Sequence, residues 1–202
     1  MADPACGAPD EALPEPGYVL VTAGGSGDGE ELIDWVISAY EADPGIEMPA
    51  LILFGPFFHR DKRHAFIERI ARQEKLDALS FDTKIEHLMQ KASAIVAMGG
   101  YNTFCEILSL DKRALIVPRT RPRLEQYIRA VEAERLGLAC MLSDHSEPRT
   151  PERMAAALRR LSAQPRPSEV VIPGLLDGLD KIRERLKAPL VQAFRPAYQA
   201  AE

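Results

Sequence analysis

Six short, continuous apolar runs alternate with longer amphipathic stretches along this chain, and that rhythm constrains the fold more than any other feature. The runs are Tyr18–Thr22, Ala50–Phe54, Leu76–Phe81, Ala94–Met98, Ala114–Pro118 and Leu138–Leu142. They do not alternate polar with apolar, so they read as strands covered on both faces. The stretches near 30–42, 61–74, 83–92, 103–110, 124–136 and 151–163 carry helical spacing. Strand–helix alternation of this kind makes βαβ units on a parallel sheet with right-handed crossovers. The expected fold is therefore α/β, an open doubly wound parallel sheet.

Composition narrows the function classes. With 46% hydrophobic residues in a chain of 202, one substantial core forms without staples. No apolar run approaches the roughly 20 residues that span a bilayer. The opening MADPACGAPDEALPEPG has neither a basic nor an apolar segment of a secretory signal. Cys6, Cys105 and Cys140 lie far apart and odd in number, which predicts no disulfide framework and a reducing, cytoplasmic setting. A net charge of −5 argues against a general nucleic-acid binder. The four histidines form no HExxH or Cys/His cluster, so no metal and no resident cofactor are expected. Residues 1–16 read as a disordered leader or linker, 17–163 as the main domain, and 164–202 as a peripheral helical segment with a helix near 175–187.

In a sheet of this kind ligands sit outside the carboxyl ends of the strands. The first strand runs into Ala-Gly-Gly-Ser-Gly-Asp-Gly-Glu at 23–30 and then a helix, a phosphate-loop candidate. Glu30 and Glu31 stand where a P-loop needs Lys and Ser or Thr, and GxGxxG is absent. A tight turn without ligand is the alternative. The fourth strand ends in Gly99-Gly100-Tyr101-Asn102-Thr103-Phe104-Cys105-Glu106. Thr103 and Glu106 share a helical face there, either as a T-x-x-E capping box or as a phosphate contact and a carboxylate for a vicinal diol. The fifth strand gives way to Arg119, Arg121 and Arg123, then Glu125 and Gln126. The arginines balance a diphosphate or form a solvated loop. Phe81-Asp82 closes the third strand, offering backbone to a base edge or a helix cap. Phe57-Phe58 after the second is a partner surface or folds back as core.

Taken together, GGxxTxxE after a strand, Pro118 closing the next, and then Glu125-Gln126 resemble the carboxyl-terminal half of GT-B glycosyltransferases of the MurG type, glycosyltransferase family 28. The loop GGSGDG resembles that family's GGSxG loop, and the likeness covers roughly residues 17–163. It implies a Rossmann-like, nucleotide-sugar-binding half of a GT-B fold. Backbone at Phe81 and Asp82 would read the uracil of a UDP-sugar, and Glu106 would hold the ribose. Gly99, Gly100 and Thr103 would face the phosphates, with Gly25 and Ser26 closing over them. Glu125 and Gln126 would grip a hexosamine-type sugar, although Glu125 stands where the family has Gln, so the sugar stays open. The resemblance implies that the catalytic base and acceptor-binding groups belong to an N-terminal domain or subunit. The chain alone would then bind donor with little turnover, and meet a membrane's inner face only through a lipid-linked acceptor. The competing readings are an epimerase or hydrolase on the same scaffold, and a non-catalytic module that binds a partner through Phe57-Phe58 and its last helix.

Overall fold

The computed structural model describes residues 17–24, 29–80, 85–145, 147–170, 172–175 and 177–187. The expected leader at 1–16, and Gly25, Ser26, Phe81 and Asp82, lie outside the described residues. The described residues fall into two compact units, one ending at Val170 and the other following it.

The first unit is built on a six-stranded parallel sheet of order β3-β2-β1-β4-β5-β6. Its strands are β1 (Val19–Thr22), β2 (Ala50–Leu53), β3 (Leu76–Leu79), β4 (Ala94–Ala97), β5 (Arg113–Ile116) and β6 (Cys140–Met141). Every residue of β1, β2 and β4 is buried, as their continuous apolar sequences require. In edge strand β3 only Leu76 is buried, and Asp77 is exposed. The helices are α1 (Glu30–Ala42), α2 (Arg60–Ile70), α3 (Ile85–Lys91), α4 (Tyr101–Ser109), α5 (Glu125–Arg135) and α6 (Pro151–Leu161). The chain leaves β1 toward β2 and β3, then returns to β4 on the other side of β1. With right-handed crossovers this reversal places α1 and α4 on opposite faces, leaving a crevice between the β1 and β4 loops.

Helix α1 turns Leu32, Ile33, Val36 and Ile37 onto the sheet and packs against α6, which contributes Met154, Leu158 and Leu161. Burying each such side chain contributes roughly 1.5–3 kcal/mol. Local signals agree at α6: the Thr150 hydroxyl accepts from Arg153 N, Pro151 takes the first position, and Arg159 and Arg160 occupy the last turn. Trp35 of α1 donates its indole N–H to the Thr150 carbonyl at 2.6 Å, beneath the guanidinium groups of Arg149 and Arg153. Phe58 folds into a ring cluster with Phe54 and Phe66, while Phe57 stays exposed.

The first unit also takes in residues 164–170, which the sequence reading assigned to the C-terminal segment. Arg113 Nε donates to the Gln164 carbonyl at 2.6 Å, and Asp111 accepts from both the backbone N–H and the hydroxyl of Ser168. These bonds hold a turn that sequence periodicity does not signal. The second unit contributes α7 (Gly178–Lys187), which exposes Leu179, Ile182 and Leu186.

Candidate site at the carboxyl edge of the sheet

Gly24 has φ +78°, and its N–H donates to the Thr22 hydroxyl. Gly29 precedes α1 with no side-chain cap, and Glu30 and Glu31 occupy the first turn. These acids favour the helix but oppose an anion placed directly on that end.

The β4–α4 loop is arranged differently. Gly99 has φ +75°, and a Cβ there would lie 2.7 Å from Ile116 Cγ2, so both its backbone and its surroundings require glycine. Gly100 is the N-cap of α4, with φ −54° and no side-chain cap bond. A Cβ on Gly100 would meet nothing within 4 Å. The helix thus presents its free N–H groups beside open space, an arrangement that can hold an anion.

Thr103 is the third residue of α4 and Glu106 the sixth; both are half-buried. The capping-box alternative fails, because that motif needs the hydroxyl at the N-cap, and Gly100 holds that position. The Glu106 side chain makes no hydrogen bond or ion pair to any described residue. A carboxylate left free one and a half turns inside a half-buried helix is available to a ligand's hydroxyls.

The fifth strand's loop ends at α5 as the sequence indicates. Glu125 is the first helical residue, exposed, and 3.5 Å from Arg119 Nη2. Gln126 is buried, and its Oε1 accepts from Arg119 N at 3.3 Å, so its carbonyl is engaged with the loop. Arg121 and Arg123 are exposed. Beside this loop lies a cleft of about 460 Å³ lined by Arg119, Thr120, Arg121, Asp144 and His145, with Glu31 and Arg149 at its wall. All its lining residues are polar, and Arg149 is held by Glu31 and Asp144, each at 2.7 Å. The structure thus gathers Gly99, Gly100, Thr103 and Glu106 on one loop and helix, and sets Glu125 and Gln126 at the start of α5.

Sequence reading missed Arg129. From the second turn of α5 its Nη1 donates to the Gly99 carbonyl at 2.7 Å, and its guanidinium lies over the Tyr101 ring at 5.6 Å. Nothing in the sequence marks it, since its partner is a backbone carbonyl thirty residues away.

A parallel sheet of this strand order is a doubly wound, Rossmann-like fold, with its ligand crevice at the carboxyl edge. Residues 18–170 match the C-terminal domain of glycosyltransferase family 28, and the chain belongs to that family. Among solved structures, MurG of Acinetobacter baumannii superposes with a TM-score of 0.63 at 17% identity, over 87% of this chain and 51% of that one. LpCGTa, solved in complex with UDP, gives 0.57 at 19% identity over 79% of this chain and 36% of that one. ALG13 gives 0.54 at 15% identity over 85% of this chain and 95% of that one. The chain thus spans about half or less of the first two and nearly all of the third. No curated protein sequence matches it significantly. Among the described residues, no helix is long and apolar enough to cross a membrane.

Proposed function

We propose that this chain is the donor half of a UDP-sugar-dependent glycosyltransferase, working with a separate acceptor-binding domain or subunit. The observation that carries the reading is on α4: an uncapped, glycine-led N-terminus beside open space, followed on the same helix by the unpaired carboxylate of Glu106. The first suits a phosphate and the second a ribose diol, and α4 starts beside the crevice where this topology binds ligands. The backbone of Phe81 and Asp82 reads the uracil. Gly25 and Ser26 close over the diphosphate, and Glu125 and Gln126 take hydroxyls of a hexosamine-type sugar. Membership of family 28 and the UDP complex of the similar LpCGTa support a nucleotide-sugar donor.

In the reaction the bond between the anomeric carbon and the β-phosphate oxygen breaks, and UDP leaves with the electron pair. An acceptor hydroxyl bonds to that carbon and yields its proton to a base on the acceptor half. This chain's share is electrostatic: the α4 N-terminus and the cations Arg119 and Arg121 stabilise the departing diphosphate. The match to about half of a MurG supports an acceptor-binding half beside this domain. The setting we propose is cytoplasmic, with any contact to a membrane's inner face made through the acceptor.

The test is calorimetric titration with UDP, with ADP as control and UDP-GlcNAc and UDP-GalNAc afterwards. A UDP-selective signal supports the donor role, and tighter binding of the two hexosamine donors than of UDP-glucose, titrated alongside them, supports the sugar. A chain that binds ADP as well as UDP, or neither, overturns it.

A further inference from the structure

The β4–α4 loop is held from two sides. Ile116 of β5 packs so closely against Gly99 that no side chain fits there, and Arg129 of α5 grips the Gly99 carbonyl at 2.7 Å, a charge-assisted length. The same guanidinium rests on the exposed ring of Tyr101, the first residue of α4, within cation–π range. The Gly99–Gly100 peptide is trans, so its N–H points opposite to its C=O. Fixing the carbonyl toward Arg129 therefore fixes the Gly100 N–H away from it. No described residue accepts from that N–H, and Gly100 stands beside open space.

Resting on the donor-site reading above, we propose that Arg129 is a positioning residue: it turns the Gly100 N–H toward the diphosphate and holds it there before the nucleotide arrives. Preorganising a donor in this way lets the phosphate find it without reordering the loop. Arg129 contacts backbone and ring, not the ligand. Its loss therefore weakens the phosphate-dependent part of binding and spares the nucleoside.

The experiment is an NMR titration of the full chain with UDP and with uridine, for the wild type, Arg129→Met and Arg129→Lys, with thermal unfolding alongside. In ligand-free Arg129→Met the Gly100 amide resonance moves, because its peptide carbonyl has lost a charged donor. UDP affinity falls about tenfold, the scale of one hydrogen bond to a charged group. Uridine affinity stays within twofold. Arg129→Lys, which still offers an N–H to the same carbonyl, recovers most of the UDP affinity. If Arg129→Met does not fold, Tyr101→Ala takes its place by removing the ring that seats the guanidinium, with a smaller loss confined to UDP. Equal losses for UDP and uridine, unchanged UDP affinity, or an unmoved Gly100 resonance each overturn the proposal. A wild type that takes up uridine and UDP alike, or neither, overturns the donor-site reading as well, whereas an unmoved Gly100 resonance overturns the role of Arg129 alone.

Discussion

Gly29 and Ala23 close the first βα loop so tightly that a Cβ on Gly29 would lie 1.8 Å from that of Ala23 and 3.1 Å from its Cα. The φ of Gly29 is −86°, which any residue adopts, so the demand for glycine is steric alone. Gly29→Ala pushes α1 away from the end of β1 and costs about 1–3 kcal/mol, as overpacking does. Urea unfolding measures it, and a cost under 0.5 kcal/mol would mean that α1 starts elsewhere in solution.

Adjacent glycines separate stability from binding. Gly99→Ala meets Ile116 and a left-handed backbone, and lowers stability by about 1–3 kcal/mol. Gly100→Ala meets nothing and keeps an ordinary φ, so stability changes by less than about 1 kcal/mol, the weaker N-cap offset by a stiffer unfolded chain. If the diphosphate sits where we propose, the added methyl enters that space and UDP affinity falls. Normal UDP affinity in Gly100→Ala would place the phosphates elsewhere.

Glu106 has no partner to lose among the described residues. Glu106→Ala should therefore leave stability within about 0.5 kcal/mol of wild type, while UDP affinity falls by about 1.5–3 kcal/mol, the range for hydrogen bonds to a charged group. Paired melts and titrations check both halves. A drop in stability with unaltered affinity would assign the carboxylate to the fold.

The α1–α2 contact depends on pH through Arg69, which bonds Asp34, Ser38 and Glu41. The hydrogen bond from Arg69 holds the Glu41 carboxyl below its ordinary value. A depressed carboxyl stabilises the fold above its unfolded pKa, about 4.3, and that stability fades as pH falls through the folded value. Arg69→Ala should cost about 1 kcal/mol at neutral pH, since the groups are partly exposed and screened. The difference from wild type should shrink by pH 3. Equal costs at pH 7 and pH 3 would show that Arg69 acts by packing on Phe66 instead.

The strands were legible because burial on both faces writes itself as an unbroken apolar run, as in Val19–Thr22. Their ends were less so. Phe54 and Met98 remain buried beyond the last residues of β2 and β4, and burial is what the pattern reports. Helix α5 begins at Glu125, one residue after the expected start near 124, whereas α4 begins two residues before Thr103, because Gly100 supplies the N-cap with backbone alone. Gln126 reads as a free polar group, yet its carbonyl is spent on Arg119 N. Arg129 was invisible because a backbone acceptor leaves no trace in sequence.

Trp35 is the only tryptophan, and it sits between α1 and α6 with its indole N–H bonded and two guanidinium groups over its face. The chain therefore carries its own optical probe. One of those guanidiniums, Arg149, also walls the cleft beside the β5 loop. Intrinsic fluorescence should follow both the separation of the two helices and the arrival of an anion there, with no label attached.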